Sequence, residues 1–237
     1  MRGREIVSER LHDLNRFYNI LSQIERCHGT LRLIDSHGRM IWPRRGVYFF
    51  FEADETRSNS SAEPRVVRVG THALKGSSNA SLWNRLSQHK GTSSKGGGNH
   101  RGSIFRLLIG DALKKRFPEI ACPTWGRGAS APADVREGEQ HLERLVSAYI
   151  GGTPFLCLGI EDEPGPDSLR GFIERNAIGL LSNYNRDQID PPSSGWLGRL
   201  SSRERVRGSG LWNNDHANEQ YDPKFLDVME DLRRKIE

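Results

Sequence analysis

The sequence predicts a mixed α/β fold (α+β), in which a small, largely antiparallel three-stranded sheet is flanked by helices, with helical and loop insertions. Three short apolar runs are typical of buried strands: GVYFFFE, VVRVG and FLCLGIE. Around them lie longer segments with apolar residues every three to five positions, which is the helical period. No internal repeat is present, so one sheet covered by helices is the economical architecture.

The first third of the chain predicts one helix and one hairpin. Residues 5–28 have helical periodicity, and residues 29–45 are expected to form a loop. The strands at 46–52 and 66–70 are close enough in sequence to pair in an antiparallel hairpin. Residues 53–65 between them are polar and rich in turn-forming types, so we expect a long exposed loop.

Three serines predict where later helices begin. Ser81, Ser103 and Ser168 each precede an apolar periodic segment, and serine is a preferred N-cap. Two more helices, a third strand and two irregular segments complete the elements, at 135–150, about 223–236, 155–161, 118–134 and 186–210. The chain then divides into an N-terminal helical extension (1–40), a core (41–190) with an insertion at 91–150, and a C-terminal loop and helix (191–237) packed on the core.

The charge of the chain is unevenly distributed. The formal net charge is +5, but residues 75–116 contain nine Lys and Arg residues against one acidic residue, Asp111. Such a stretch predicts either a surface for a polyanion or a basic face that only contacts solvent. The candidate nucleic-acid contacts are Lys75, Lys90, Lys95, His100, Arg101 and Arg106.

Cysteines and hydropathy limit the class of protein. The three cysteines have no metal-binding or disulfide spacing. The N-terminal residues lack an apolar signal segment, and no apolar run approaches the roughly 20 residues that span a membrane. We therefore expect a soluble, cytoplasmic protein that does not bind membranes.

Two helices carry side chains suited to phosphate chemistry. Arg85 and His89 are four residues apart, so they project from the same helix face. A guanidinium can bind phosphate with two hydrogen bonds, and an imidazole can donate to phosphate or move a proton. Basic pairs at this spacing also occur on solvated helix faces, so that alternative stays open.

Glu174 lies on the apolar side of the helix predicted over 169–182. A carboxylate there is costly to bury unless it is paired or binds a metal. Glu174 could lie at the edge of the apolar stripe, pair with Arg170 one turn earlier, or bind a hard cation. One or two carboxylates together with substrate phosphate oxygens suit Mg²⁺.

Four features follow one another along the chain. They are the tripeptide Gly46-Val47-Tyr48, the tripeptide Arg68-Val69-Gly70, a helix with Arg85 and His89 four residues apart, and a later helix with Glu174 that is followed by Asn185. This pattern resembles the GIY-YIG nuclease superfamily, in restriction-type or uncharacterised bacterial members. The similarity covers about residues 41–190, and SGLWNNDHANEQYDP near the C-terminus is also similar to segments of uncharacterised members.

The resemblance implies a metal-dependent DNA endonuclease that leaves 5′-phosphate and 3′-hydroxyl ends. Tyr48 would accept a proton from the attacking water or orient it, and Arg85 would hold the scissile phosphate. Glu174 would bind one Mg²⁺ or Mn²⁺, and His89 and Asn185 would assist. Double-stranded DNA is the expected partner, and restriction-type dimers make a homodimer one arrangement that the resemblance allows.

The second tripeptide departs from the family pattern, because Arg68 stands where the family usually has tyrosine. Arginine cannot readily act as a base, since its pKa exceeds about 12. Arg68 could bind phosphate or pair with an acid, and His72, two residues past Gly70, could replace the lost function. Two alternatives therefore remain: a DNA-binding module of the same fold without cleavage, and an RNA-binding or RNA-processing protein.

Overall fold

The computed structural model describes residues 2–58, 60–76, 78–92 and 96–235. In these residues the chain forms four strands and seven α-helices, which confirms the mixed α/β prediction. The strands are β1 (Leu31–Arg32), β2 (Gly46–Arg57), β3 (Ser60–Gly70) and β4 (Pro154–Gly159). The helices are α1 (Arg2–His28), α2 (Leu82–Lys90), α3 (Ile104–Arg116), α4 (Ala133–Gly152), α5 (Leu169–Leu181), α6 (Glu204–Ser209) and α7 (Lys224–Arg234).

The strands form a single antiparallel sheet in the order β1-β4-β2-β3. It has four strands where three were expected, because β1 lies in the segment predicted to be a loop. β1 is only two residues long, and a strand of that length leaves no alternation in the sequence. The division into three parts along the chain stays a prediction.

The alternation of β2 divides its side chains between two cores. Val47, Phe49 and Phe51 pack with the apolar faces of α1, α5 and α7. Tyr48 and Phe50 point to the opposite side, where α2, α3 and α4 cover them. The sheet is therefore a central layer with helices on both faces, and Tyr48 is inside the second core.

The expectation of a long exposed loop at 53–65 is wrong. β2 continues to Arg57 and β3 begins at Ser60, which pairs with Arg57, so the hairpin is long. Polar residues enter these strands because they are paired: Arg65 donates to Glu55 at 2.8 Å, both being buried. Hydropathy alone cannot distinguish such buried ion pairs from an exposed polar loop.

The segment 118–132 is irregular, as expected, while α4 already begins at Ala133, and the irregular segment is not wholly on the surface. Trp125 is buried, and its indole packs against Gly110 of α3 so closely that a Cβ at Gly110 would lie 2.1 Å from the ring.

The three serine N-caps are confirmed, since Ser81, Ser103 and Ser168 each accept a backbone N–H of their helix.

Candidate active site

Tyr48 lies opposite Gly70 in the β2–β3 ladder. Its side chain leans across the strand so that a Cβ at Gly70 would lie 2.3 Å from the phenolic oxygen. Only glycine leaves room for the ring there, because real Cβ atoms do not approach other heavy atoms so closely. The glycine that ends VVRVG therefore positions the hydroxyl of Tyr48, which is fully buried in the free protein.

A buried hydrogen-bond chain begins at this hydroxyl. Tyr48 Oη is 2.8 Å from His89 Nε2, and His89 Nδ1 is 2.7 Å from Ser103 Oγ. Ser103 also accepts the Arg106 N–H as the N-cap of α3. Burial, helped by the charges of Arg85 and other nearby arginines, lowers the pKa of His89 well below its ordinary value, so the ring is neutral at pH 7.

Ser103 could not be identified from the sequence as part of this chain. Its N-cap signature was visible, but capping requires no second task of the hydroxyl. The oxygen faces His89 because the loop before α3 returns to the C-terminal end of α2. That approach is a tertiary contact, which a residue pattern does not contain.

Arg68 lies on the same side of the sheet as Tyr48, since Gly70 pairs with Tyr48 and Arg68 pairs with Phe50. Its guanidinium lies over the Phe105 ring at 4.7 Å and donates to the Trp212 carbonyl at 2.5 Å. Burial lowers the pKa of Arg68, and the neighbouring Tyr48 and Glu174 act in the opposite direction. Its charge is thus placed among the candidate site residues.

An open cleft of about 600 Å³ lies next to the buried Arg68. Arg85 of α2 and Glu174 of α5 both line it, on elements far apart in sequence. The remaining residues that line the cleft come mostly from the segment after β3 and include Thr71, His72 and Lys75. The structure therefore brings the predicted phosphate ligand and the predicted metal ligand to one cavity.

Glu174 is held at the cleft by the backbone. Its Oε1 accepts the Thr71 N–H at 3.0 Å, directly after the Gly70 that packs on Tyr48. Burial raises the pKa of Glu174, while the charge of Arg68 and the Thr71 N–H act to lower it. The alternative in which Glu174 pairs with Arg170 does not occur, because Arg170 binds Asp162 and the His72 carbonyl instead.

Arg85 has a half-open environment. It is partly exposed, and one guanidinium nitrogen donates to Gln88 at 3.0 Å and to the Gly102 carbonyl at 3.1 Å. Neither partner is charged. In the described residues no ion pair is formed by Arg85, so its charge is available to an anion in the cleft.

His72 lines the cleft but is almost entirely buried. Burial and the charge of neighbouring Arg170 lower the pKa of His72 to about 4, so its ring is neutral near pH 7. The ring lies near the Arg44 backbone, yet neither ring nitrogen makes a hydrogen bond of ordinary geometry within the described residues. A neutral imidazole can accept a proton or a ligand there.

Sequence reasoning missed the C-terminal contribution to this cleft. Asp215 is exposed and lines it together with Glu174. The segment is fixed by Asn213, whose side chain accepts the Val69 N–H at 3.1 Å and donates to the Val69 carbonyl at 2.8 Å. The preceding Trp212 N–H donates to the Val67 carbonyl at 2.7 Å. The available signal was the resemblance of the NNDH segment to other family members.

Asn185 is not brought to the cleft. It is exposed in a turn after α5 with φ of +55°, a left-handed conformation that asparagine tolerates. Among the described residues that line the cavity, Asn185 is absent. The geometry therefore does not support the expectation that Asn185 assists Arg85 and Glu174 at the cleft.

The predicted nucleic-acid contacts separate into two groups. Lys75 is exposed and lines the cleft. Lys90 is partly exposed, but its amine is held by the carbonyls of Ile34 at 3.2 Å and Ser36 at 2.7 Å. Lys95 lies outside the described residues.

His100, Arg101 and Arg106 have structural partners instead. Arg106 is fully buried and donates to Glu143 from two nitrogens, one of them at 3.0 Å. Arg101 forms a bidentate pair with Glu139 at 2.6 and 2.9 Å, and His100 Nδ1 lies 3.0 Å from Glu143. The expectation that these three touch nucleic acid is corrected, because their polar groups are buried against α4.

Glu174 and its surroundings fit a hard cation. Its second carboxylate oxygen makes no hydrogen bond within the described residues, and the Asp215 carboxylate faces the same cleft. Across those same residues, no group of three or more His, Cys, Asp and Glu side chains could hold a metal. A metal here would therefore keep several oxygen ligands from water or substrate, as Mg²⁺ commonly does.

Comparison with known proteins gives one match. A model of the GIY-YIG domain family matches residues 8–237, which is nearly the whole chain. No curated protein and no solved structure matches. Across the described chain, no helix has both the length and the apolar character needed to cross a membrane.

Proposed function

Because the chain belongs to the GIY-YIG family, we propose that it is a metal-dependent endonuclease that hydrolyses double-stranded DNA to 5′-phosphate and 3′-hydroxyl ends. The observation that carries the proposal is the convergence of Arg85 and Glu174 on one cleft, beside the buried pair of Tyr48 and His89. Phosphodiester hydrolysis needs an activated water, positive charge at the phosphate and assistance to the leaving oxygen.

Arg85 is the group that binds the scissile phosphate. Its guanidinium has only neutral partners in the free protein, so a phosphate oxygen adds a charge-assisted hydrogen bond without breaking an ion pair. Lys75, exposed at the same cleft, contacts the backbone beside it. Arg68, buried beside the cleft, supplies a third positive charge.

Tyr48 and His89 handle the proton of the attacking water. Neutral His89, with its proton on Nδ1 toward Ser103, accepts the Tyr48 O–H at Nε2. The Tyr48 oxygen is then free to accept a hydrogen bond from water, and it can take a proton from that water as its own proton passes to His89 Nε2. Tyr48 is fully buried in the free protein, so substrate binding must open access to its hydroxyl.

Glu174 is the residue that would hold Mg²⁺ or Mn²⁺, and Asp215, which lines the same cleft, would add an oxygen. When bound, the cation would neutralise charge that develops on the leaving 3′ oxygen. Arg68 favours the ionised form of Glu174, which is the form that binds a cation.

The test is nicking of supercoiled plasmid in Mg²⁺ and in Mn²⁺, with end mapping of the products. We expect the unmodified protein to nick and Glu174→Gln to lose activity by at least about 10²-fold. Glu174→Gln should still bind duplex DNA with a strong salt dependence. Arg116→Gln, at an exposed position outside the cleft, is the matched control and should nick normally.

One specific observation favours the alternative of a binding module. Arg68 replaces the second family tyrosine, and the remaining Tyr48 is covered. Salt-dependent duplex binding by the unmodified protein, without nicking in either metal, would establish that module and overturn the endonuclease proposal. Preference for RNA in a competition between duplex DNA and RNA would instead indicate the RNA-binding alternative.

A further inference from the structure

The turn that precedes β2 presents an unusual apolar side chain. Ile41 is 102% exposed, the highest value among the large apolar residues of the described chain. It follows the exposed Arg39 and precedes the exposed Arg44. We name residues 37–44 the Ile41 turn.

The Ile41 turn is rigidly mounted. Trp42 stacks on Trp83 of α2, with ring centroids 5.1 Å apart and planes at 23°, and donates from Nε1 to the His37 carbonyl at 3.0 Å. Gly38 allows this docking, because a Cβ there would lie 2.8 Å from Trp83 Nε1. The turn therefore holds the Ile41 side chain in solvent at a fixed position, so little conformational entropy is lost when a partner contacts it.

The base of the turn borders the candidate active site. The Arg44 carbonyl accepts the N–H of Leu82 at 2.9 Å, and Leu82 is the first residue of the helix that carries Arg85. The Arg44 backbone also lies near the ring of His72, which lines the cleft. The turn docks on Trp83, which lies on the opposite flank of α2 from Arg85. A duplex held by Arg85 and Lys75 must therefore cross the exposed side of α2 to reach Ile41.

We propose that the Ile41 turn is a wedge for the minor groove of duplex DNA. Ile41 inserts beside a base step and partly unstacks it, while Arg39 and Arg44 contact the groove and its phosphates. Proteins that bend DNA from the minor groove combine an apolar wedge with basic side chains in this way. The charge of both arginines selects a polyanion over an apolar protein surface as the occupant.

The inference rests on the proposed function, since the bound duplex is the proposed substrate. It adds a way to recognise deformable sites, because base steps that unstack easily cost less to open. Cleavage would then favour mismatched or flexible steps at a fixed distance from the Ile41 turn.

The test uses the full-length Glu174→Gln protein, which keeps the duplex intact, and a DNA duplex that contains 2-aminopurine. Binding should raise the fluorescence of the probe at one position, because unstacking removes its quenching. Ile41→Ala should abolish this rise and weaken binding roughly tenfold. Ile34→Ala is the matched control, as it removes another exposed isoleucine in the neighbouring segment and should change neither signal.

The outcomes separate the two proposals. If the unmodified protein nicks DNA but Ile41→Ala binds and enhances fluorescence as before, the wedge is wrong and the endonuclease proposal stands. An equal dependence on Ile41 with duplex RNA, whose minor groove is wide and shallow, would also overturn the wedge. If the unmodified protein neither binds nor nicks duplex DNA, both proposals fail.

Discussion

Two basic regions border α2, and they differ in what their charges face. At the interface of α3 and α4, Arg101 and Arg106 are buried and paired with Glu139 and Glu143. At the cleft, Arg85 has only neutral partners and is partly open to solvent. In the sequence the two regions form one basic stretch. The comparison shows that a surplus of basic residues along a chain does not identify those that can bind phosphate.

The difference comes from α4. Glu139 and Glu143 of this helix face the segment that contains Arg101 and Arg106. Their carboxylates neutralise the two guanidinium charges inside the protein. Gly98 lets the preceding loop cross Arg106, since a Cβ there would lie 2.5 Å from the guanidinium carbon. The cleft has no comparable ion pair for Arg85 in the described part of the chain. Its carboxylates, Glu174 and Asp215, remain for a cation.

The strongest test of this division is Arg106→Ala, which leaves the Glu143 carboxylate buried and only partly compensated. We expect the free energy of unfolding to fall by about 3–5 kcal/mol, as is usual when one partner of a buried ion pair is removed. Urea denaturation followed by circular dichroism measures it. Lys115→Ala, exposed on the same helix, should change it by less than about 0.5 kcal/mol. A loss below 1 kcal/mol for Arg106→Ala would remove the distinction between the regions.

Arg85→Ala tests the other side of the comparison. Loss of its positive charge at the phosphate should lower the nicking rate by about 10²–10³-fold. The free energy of unfolding should change by less than about 1 kcal/mol, because Arg85 contacts only neutral groups. Single-turnover nicking and urea denaturation give the two values. Stability lost as strongly as in Arg106→Ala would place Arg85 in the structural group.

Arg68→Gln addresses the intermediate case, a buried arginine that faces the cleft. Burial raises the pKa of Glu174 and the Arg68 charge opposes that rise, so the substitution should raise this pKa further. A carboxylate with a raised pKa is protonated at higher pH and then cannot bind a cation. The acidic limb of the rate against pH should therefore move to higher pH.

The measurement is the nicking rate between pH 5 and pH 8 at one fixed metal concentration below saturation, for Arg68→Gln and for the exposed control Arg116→Gln. At the acidic end the Arg68 variant should be slower by about tenfold, and the difference should shrink as the pH rises. A constant ratio across the range would show that Arg68 does not act through Glu174.

Much of the fold was predictable, because it rests on local signals. The three apolar strands, the serine N-caps and the helical periods are properties of neighbouring residues. β1 and the polar extension of the hairpin were missed, since a two-residue strand has no pattern and the buried Arg57 depends on partners distant in sequence, Asp190 and Asn15. Burial of a charge depends on partners that sequence spacing does not indicate.

The candidate site was predictable in part for the same reason. Tyr48, Arg85 and Glu174 could be named because an ordered set of motifs places them, and the structure brings Arg85 and Glu174 to the same cleft. Ser103 could not, because the sequence separates it from His89, and Asp215 was missed although the resemblance of its segment to other family members was a signal. Their catalytic parts, like that of Tyr48, remain proposals.

The way residues 211–213 cover the free edge of β3 has a consequence for protein synthesis. The backbone N–H and carbonyl of Val69 are hydrogen-bonded by the side chain of Asn213, which is synthesised 144 residues later. At roughly 5–20 residues per second, the strand waits on the order of ten seconds with unpaired edge groups, a state prone to pairing with other chains. During that interval Arg68 also lacks the Trp212 carbonyl. A nascent chain that has not yet reached residue 215 therefore lacks part of the cleft, because Trp212 binds Arg68 and Asp215 lines the cavity.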